Sequence, residues 1–285
     1  MANNERRQEI ETFYRQTAPI FLKWSPDPKR IGLYAMHIGY QQDWGEPLDN
    51  SISALQMSRR IIELSEIKSG QVILDAGCGV GTLAFEIKHI EPKAGVYGID
   101  ISRNHIHLAS QYEDRDDSFC PIFSIQDYEH LAFRSGTFDR IIFCESFIHS
   151  QDKTGLIQES SRILKSKGII TIADIFMHPH TLTKEEVDII AELKTHMHIP
   201  NITHIQELVA LLLANGFSCI NPRNITENVV SPVDYHDSSP NGQSLDAESS
   251  HQDIETLLAG LQRLLRKGKA GYYILTAQKN KTNTT

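Results

Sequence analysis

The chain has no cysteine pair at CxxC spacing, no apolar run approaching the ~20 residues a membrane helix needs, no excess of basic residues and no internal repeat. Its four cysteines, Cys78, Cys120, Cys144 and Cys219, are scattered, and three fall in or beside strand-like runs, where a free thiol behaves as a small hydrophobe; they are expected to be reduced. The opening MANNERRQEIE has no apolar signal core, so the expected location is the cytoplasm, without stable membrane insertion. With 28 Lys and Arg against 36 Asp and Glu, the net charge of −8 argues against duplex nucleic acid or an anionic membrane as the main partner, since counterion release needs clustered positive charge. A basic strip and a stacking platform for RNA are also missing. Histidines gather in HPH and HMH (His178, His180, His196, His198, with His204 nearby), but no acid joins them at a familiar ligand spacing, and no metal site is expected. A small-molecule partner is what remains.

What is present is a chain long and apolar enough, at 285 residues and 40% hydrophobic, for one α/β domain with elaborations. Residues 5–23 and 51–67 carry helical periodicity, with an N-cap signal around Ser51. From Val72 onward strand-like and helix-like runs alternate: VILDAG, TLAFEIKHI, VYGIDIS, a helix over 103–112, PIFSIQD, DRIIFCES, GLIQESSRILK and GIITIADIF. That alternation predicts a doubly wound, mostly parallel sheet. A His-rich connection follows Phe176, then a helix ended by Gly216, a strand-like SCINPRNITENVV, a polar loop over 231–250, a helix over 251–267 and a last strand, GYYILTAQ. The expected organisation is an N-terminal helical cap and lid (1–66), a core (67–280) with acceptor-side insertions at 177–215 and 231–268, and a frayed tail (281–285).

The stretch QVILDAGCGVGTLA, residues 71–84, runs a buried strand into glycines at alternate positions. Such a turn lets a ligand approach the backbone where a helix N-terminus offers unpaired N–H groups. The dinucleotide fingerprint is GxGxxG. Here Gly77, Gly79 and Gly81 read GxGxG, and Asp75 ahead of them would repel a pyrophosphate but accept a hydrogen bond from an ammonium. Asp100 ends the second strand, where a carboxylate accepts ribose hydroxyls. Asp127, with Tyr128 beside it, follows the third strand and is placed for an adenine amino group. An amino acid, a ribose and an adenine together describe S-adenosylmethionine.

On these motifs, residues 70–176 resemble the Rossmann-like core of the class I S-adenosylmethionine-dependent methyltransferases. LDAGCGVG is similar to that family's first motif, GIDIS to its ribose-binding strand end and QDYEHLAF to its acidic loop, in the right order and intervals. The resemblance implies a seven-stranded sheet with an antiparallel last strand, and a cofactor held by Asp75, Gly77, Cys78, Gly79, Asp100, Ile101, Asp127, Tyr128 and Cys144.

Methyl transfer is an in-line displacement, so a site must align a nucleophile and exclude water. If carbon attacks, the acceptor becomes a cation and then loses a proton, and a carboxylate serves both steps. Glu145, at the carboxyl end of the fourth strand, is the candidate, and ESFIH resembles the motif found there in sterol-, tocopherol- and prenyl-diphosphate-type carbon methyltransferases. Glu145 also has a plainer reading, as an anchor for the cofactor's amino group or a helix cap. His149, four residues on, is the alternative base for an oxygen or nitrogen nucleophile. GLYAMHIGYQQDWG resembles the H-x-G-Y segment of small-molecule methyltransferases. Tyr34, His37, Tyr40 and Trp44 either line an apolar acceptor pocket or form an aromatic core against the sheet. The resulting expectation is carbon methylation of an apolar, isoprenoid-type metabolite in specialised metabolism. A magnesium requirement follows only if the acceptor is a diphosphate. The alternatives are oxygen or nitrogen methylation of a natural product and a non-catalytic protein that binds the cofactor.

Overall fold

The computed structural model describes residues 9–13, 37–43, 50–111, 120–230 and 248–281. The polar segment over 231–247, most of the N-terminal segment and the last four residues lie outside that set.

Helix α1 (Asn50–Leu64) leads into β1 (Val72–Ala76), α2 (Thr82–Ile90), β2 (Gly95–Asp100), α3 (Arg103–Ser110), β3 (Ile122–Ile125) and β4 (Phe138–Cys144). A 3-10 turn, Phe147–His149, precedes α4 (Lys153–Ile163) and the long β5 (Leu164–Met177). Then come α5 (Lys184–His196), α6 (Ile205–Ala214), β6 (Phe217–Asn224), the one-turn α7 (Thr226–Val229), α8 (Glu248–Arg266) and β7 (Ala270–Lys279). The strands form one sheet in the order β3-β2-β1-β4-β5-β7-β6. β7 runs antiparallel between β5 and β6, as the resemblance implied.

Alternation along the strands builds a core on each face. Ile73, Ile142 and Ala173 pack with Met57 and Ile61 of α1, Leu83 and Ile87 of α2 and Leu264 of α8. Their neighbours Leu74, Phe143 and Ile172 pack on the other face with Leu156 of α4 and Leu208 and Leu212 of α6. Strands β1, β4 and β5 are covered on both sides, which is why they read as near-continuous apolar runs.

The sequence expectations differ from the fold in several places. The His-rich connection contains a 13-residue helix, α5. Its start is a capping box in which Thr183 and Glu186 satisfy each other's backbone N–H groups, a Thr-x-x-Glu signal visible in TLTKEE. SCINPRNITENVV stops being a strand at Asn224, whose Oδ1 accepts hydrogen bonds from the Thr226 N–H and hydroxyl and turns the chain into α7. Helix α1 already includes Asn50, one residue before the expected cap signal. All four cysteines are free thiols, and no helix among the described residues is long and apolar enough to cross a membrane.

Candidate active site

The carboxyl ends of β1, β2 and β4 open into one cavity, where the switch-point rule for open α/β sheets puts a ligand. Its space, open mouth included, is about 1110 Å³. Asp75 points into it from β1 and is 1% exposed, with neither carboxylate oxygen in a hydrogen bond. Burial, then the charge of Asp100, push the Asp75 carboxyl up to about 7; the Ala84 N–H, near the carboxylate but without the geometry of a hydrogen bond, pulls the other way. An orphaned buried carboxylate is costly, and a ligand's ammonium would satisfy it. The residues present therefore fit the amino-acid end of S-adenosylmethionine.

Beyond Asp75 the chain turns through Gly77, whose N–H, with that of Cys78, donates to the Ile99 carbonyl at 2.8 and 2.9 Å. Helix α2 starts on Gly81 with no side-chain cap, the arrangement that presents backbone N–H groups to a polar ligand. Asp100 holds this loop from β2: Oδ2 accepts from the Gly79 N–H at 2.9 Å and Oδ1 from the Ser102 N–H at 2.8 Å. Each oxygen keeps a lone pair for a second donor, so loop anchoring and ribose binding are compatible. Asp127 accepts from the Glu129 N–H at 2.9 Å, and the Tyr128 hydroxyl donates to the Ser146 carbonyl at 2.8 Å. The acidic loop is thereby tied to the end of β4.

Glu145 follows β4 in a left-handed backbone conformation, φ 50°, which a non-glycine residue adopts only when its surroundings hold it there. Its N–H donates to the Ala173 carbonyl at 2.8 Å. One carboxylate oxygen, Oε1, takes two donors: the Ile38 N–H at 2.7 Å and the Tyr272 hydroxyl at 2.8 Å. Burial first and then the neighbouring Asp174 push the Glu145 carboxyl up to about 8, while these two hydrogen bonds pull it down. Asp174, 1% exposed on β5, accepts from the Ile148 and Ile175 N–H groups, both at 2.8 Å, and so fixes the turn that carries His149.

Asp75, Gly77, Cys78, Gly79, Asp100, Ile101, Asp127, Tyr128, Cys144, Glu145 and His149, all singled out in the sequence, line this one cavity, and so does His37. The His37 ring bonds to the Ser58 hydroxyl at 3.1 Å and the Ile38 carbonyl at 3.2 Å, and burial lowers its pKa. Tyr40 is not among the lining residues; it is half-buried and packs against the core. Tyr34 and Trp44 lie outside the described residues. The sequence reading passed over Ser146, Glu129 and His105, which also line the cavity, and Tyr272 and Asp174 behind Glu145. Among the described residues no group of three or more His, Cys, Asp and Glu comes together to hold a metal.

The fate of the Asp75 proton is a test of the cofactor end of the cavity. A carboxyl near 7 that meets an ammonium must ionise, so binding of S-adenosylmethionine is expected to release about one proton at pH 6 and to tighten up to ~10-fold per pH unit until pH passes about 7. Calorimetry in two buffers of different ionisation enthalpy reads the proton directly. Asp75→Asn should abolish the release and flatten the profile, and a release that persists in that variant assigns the proton elsewhere.

Residues 67–235, more than half of the chain, match the family described as a methyltransferase domain. Methyltransferase GfsG of Streptomyces halstedii is 29% identical over 200 residues, 67% of this chain and 69% of that one. O-methyltransferase resE of Aspergillus sclerotiorum is 26% identical over 247 residues, 86% and 89% of the two chains. Among solved structures, geranyl diphosphate C-methyltransferase from Streptomyces coelicolor A3(2), in complex with Mg2+, geranyl diphosphate and S-adenosyl-L-homocysteine, superposes with a TM-score of 0.73 over 96% of this chain and 97% of that one. At 15% identity this is a likeness of fold.

Proposed function

We propose, from the premise that this chain belongs to the methyltransferase-domain family and uses S-adenosylmethionine to methylate a small molecule, that the methyl acceptor is a carbon atom of an apolar, isoprenoid-type metabolite. The observation that carries the reading is Glu145, a carboxylate built into the cavity wall by two hydrogen bonds rather than left on a mobile side chain. S-adenosylmethionine supplies an electrophilic methyl group on a sulfonium. Asp75, Asp100 and Asp127 with Tyr128 hold its ammonium, ribose and adenine. Gly77, Cys78 and Gly79 let the backbone come close, and Ile101 and Cys144 supply apolar wall. Glu145 stabilises positive charge as it develops on the acceptor carbon and takes the proton that carbon loses. The segment over 37–43 contributes His37 and hydrogen-bonds α7 through the reciprocal Gln41 and Asn228 contacts, so this segment serves as a cap that excludes water.

A second reading is oxygen or nitrogen methylation of a natural product with His149 as the base. It is favoured by the likeness to resE, an O-methyltransferase, and by His149 sharing the cavity with Glu145.

An acceptor screen with purified protein and methyl-labelled cofactor decides between them. Label transferred to carbon of a prenyl acceptor supports the first reading, and a transfer confined to phenol, hydroxyl or amine acceptors replaces it with the second. Running prenyl diphosphates with and without magnesium tests whether the acceptor carries a diphosphate.

A further inference from the structure

Behind the cavity wall lies a buried titratable group that does not itself line the cavity. Tyr272 sits on β7, paired in register with Ile175 of β5, and its side chain is 0% exposed. Its hydroxyl donates to Glu145 Oε1 at 2.8 Å. The Ile38 N–H donates to the same oxygen at 2.7 Å, and no described residue bonds Oε2. We infer that Tyr272 is the positioning residue of the reaction: it anchors one oxygen of Glu145 and leaves the other for the acceptor. The inference rests on the reading of Glu145 as the catalytic carboxylate.

A tyrosine does this job better than most donors. Its ring is wedged in the core with Ile274, Leu264 and Ala270, so the hydroxyl cannot follow Glu145 if the carboxylate swings away. Burial holds the Tyr272 phenol well above its usual pKa, so it stays a donor across the working pH range. Asp174 acts the other way. From the adjacent strand it repels the charged form of Glu145, while the Tyr272 and Ile38 donors favour it. Among the described residues, Cys144 on β4, Asp75 on β1, His37 before Ile38 and His149 in the 3-10 turn are further titratable groups around Glu145, and Lys153 acts on Asp174.

The test uses the full chain with 13C-labelled glutamate, the Glu145 carboxyl resonance being assigned by its loss in Glu145→Gln. In Tyr272→Phe, which keeps the ring and removes one hydroxyl, the resonance should titrate about one pH unit higher. In Asp174→Asn it should titrate lower. The acid limb of the turnover profile should move with it, costing Tyr272→Phe ~10-fold at neutral pH while the Kd for S-adenosylhomocysteine stays within twofold. Should Tyr272→Phe fail to fold, site-specific 3-fluorotyrosine at position 272, a stronger donor, should move the resonance down instead. A Glu145 resonance that titrates as in the wild type when the Tyr272 hydroxyl is removed or strengthened overturns the inference. If Glu145→Gln keeps full turnover, the catalytic reading of Glu145 fails, and the resonance still reports separately whether Tyr272 sets that group.

Discussion

Glu145→Gln is expected to lower turnover by ~100-fold or more, about 2.7 kcal/mol in the barrier, with little change in affinity for S-adenosylmethionine. Glutamine has the same shape, and its carbonyl oxygen can take both donors that Oε1 takes, the Ile38 N–H and the Tyr272 hydroxyl. The fold around the site should therefore survive. What is lost is the oxygen offered to the acceptor, replaced by an amide NH2 that neither stabilises a cation nor takes a proton. Since the Glu145 carboxyl lies near 8 in the free protein, its ionised fraction grows as pH rises through that value. Wild-type turnover should climb with pH over this range, whereas the residual activity of the glutamine variant should lack that limb. Single-turnover measurements with saturating cofactor separate this loss from a change in binding. His149→Ala should be milder. The reverse ranking, Glu145→Gln nearly active and His149→Ala dead, would hand the chemistry to the oxygen or nitrogen reading.

How much of this site could be read from the chain depends on whether the information was local. Asp75 with its glycines, Asp100 at a strand end, Asp127 with Tyr128, and Glu145 ahead of His149 each sit within a few residues of a strand end. In a parallel α/β sheet all those ends converge on one edge, so local motifs sufficed to assemble the cavity lining. The supports of Glu145 are not local. Tyr272 lies 127 residues from Glu145 in the chain and Ile38 lies 107 residues away. GYYILTAQ offers two adjacent tyrosines, and only the pleat of β7 between β5 and β6 decides that Tyr272 joins one core face while Tyr273 joins the other. Asp174 did leave a signal, an acid inside the buried run GIITIADIF, since an acid there must be hydrogen-bonded to be tolerated. Helix α5 left one too, in its Thr-x-x-Glu start, masked by the histidines that drew the reading toward a loop.

Gly77→Ala is expected to cost roughly 100-fold or more in affinity for S-adenosylmethionine, although the substitution itself takes away no polar group. Gly77 has φ 80°, and holding an alanine in the left-handed region costs about 1–2 kcal/mol. A Cβ there would also stand 2.4 Å from the Ser146 Cβ and 2.9 Å from its Oγ. Ser146 has no room to yield: its hydroxyl donates to the Ala76 carbonyl at 2.6 Å, and its own carbonyl accepts from Tyr128 at 2.8 Å. Overpacking against so fixed a neighbour costs about 1–3 kcal/mol more. The loop can relieve the strain only by breaking the Gly77 and Cys78 bonds to Ile99, which moves the Asp75-to-Gly79 cradle away from the cofactor. Gly136→Ala separates the two contributions. At φ 65° with nothing within 4 Å of its Cβ, it carries the backbone cost without the clash, and cofactor affinity should stay that of the wild type while stability drops by about 1 kcal/mol. Adding Ser146→Gly to Gly77→Ala removes the obstructing Cβ and should recover part of the lost affinity. A Gly77→Ala protein that binds S-adenosylmethionine as the wild type does would show that the loop carries no such constraint. A double variant no better than Gly77→Ala would put the cost on the backbone alone.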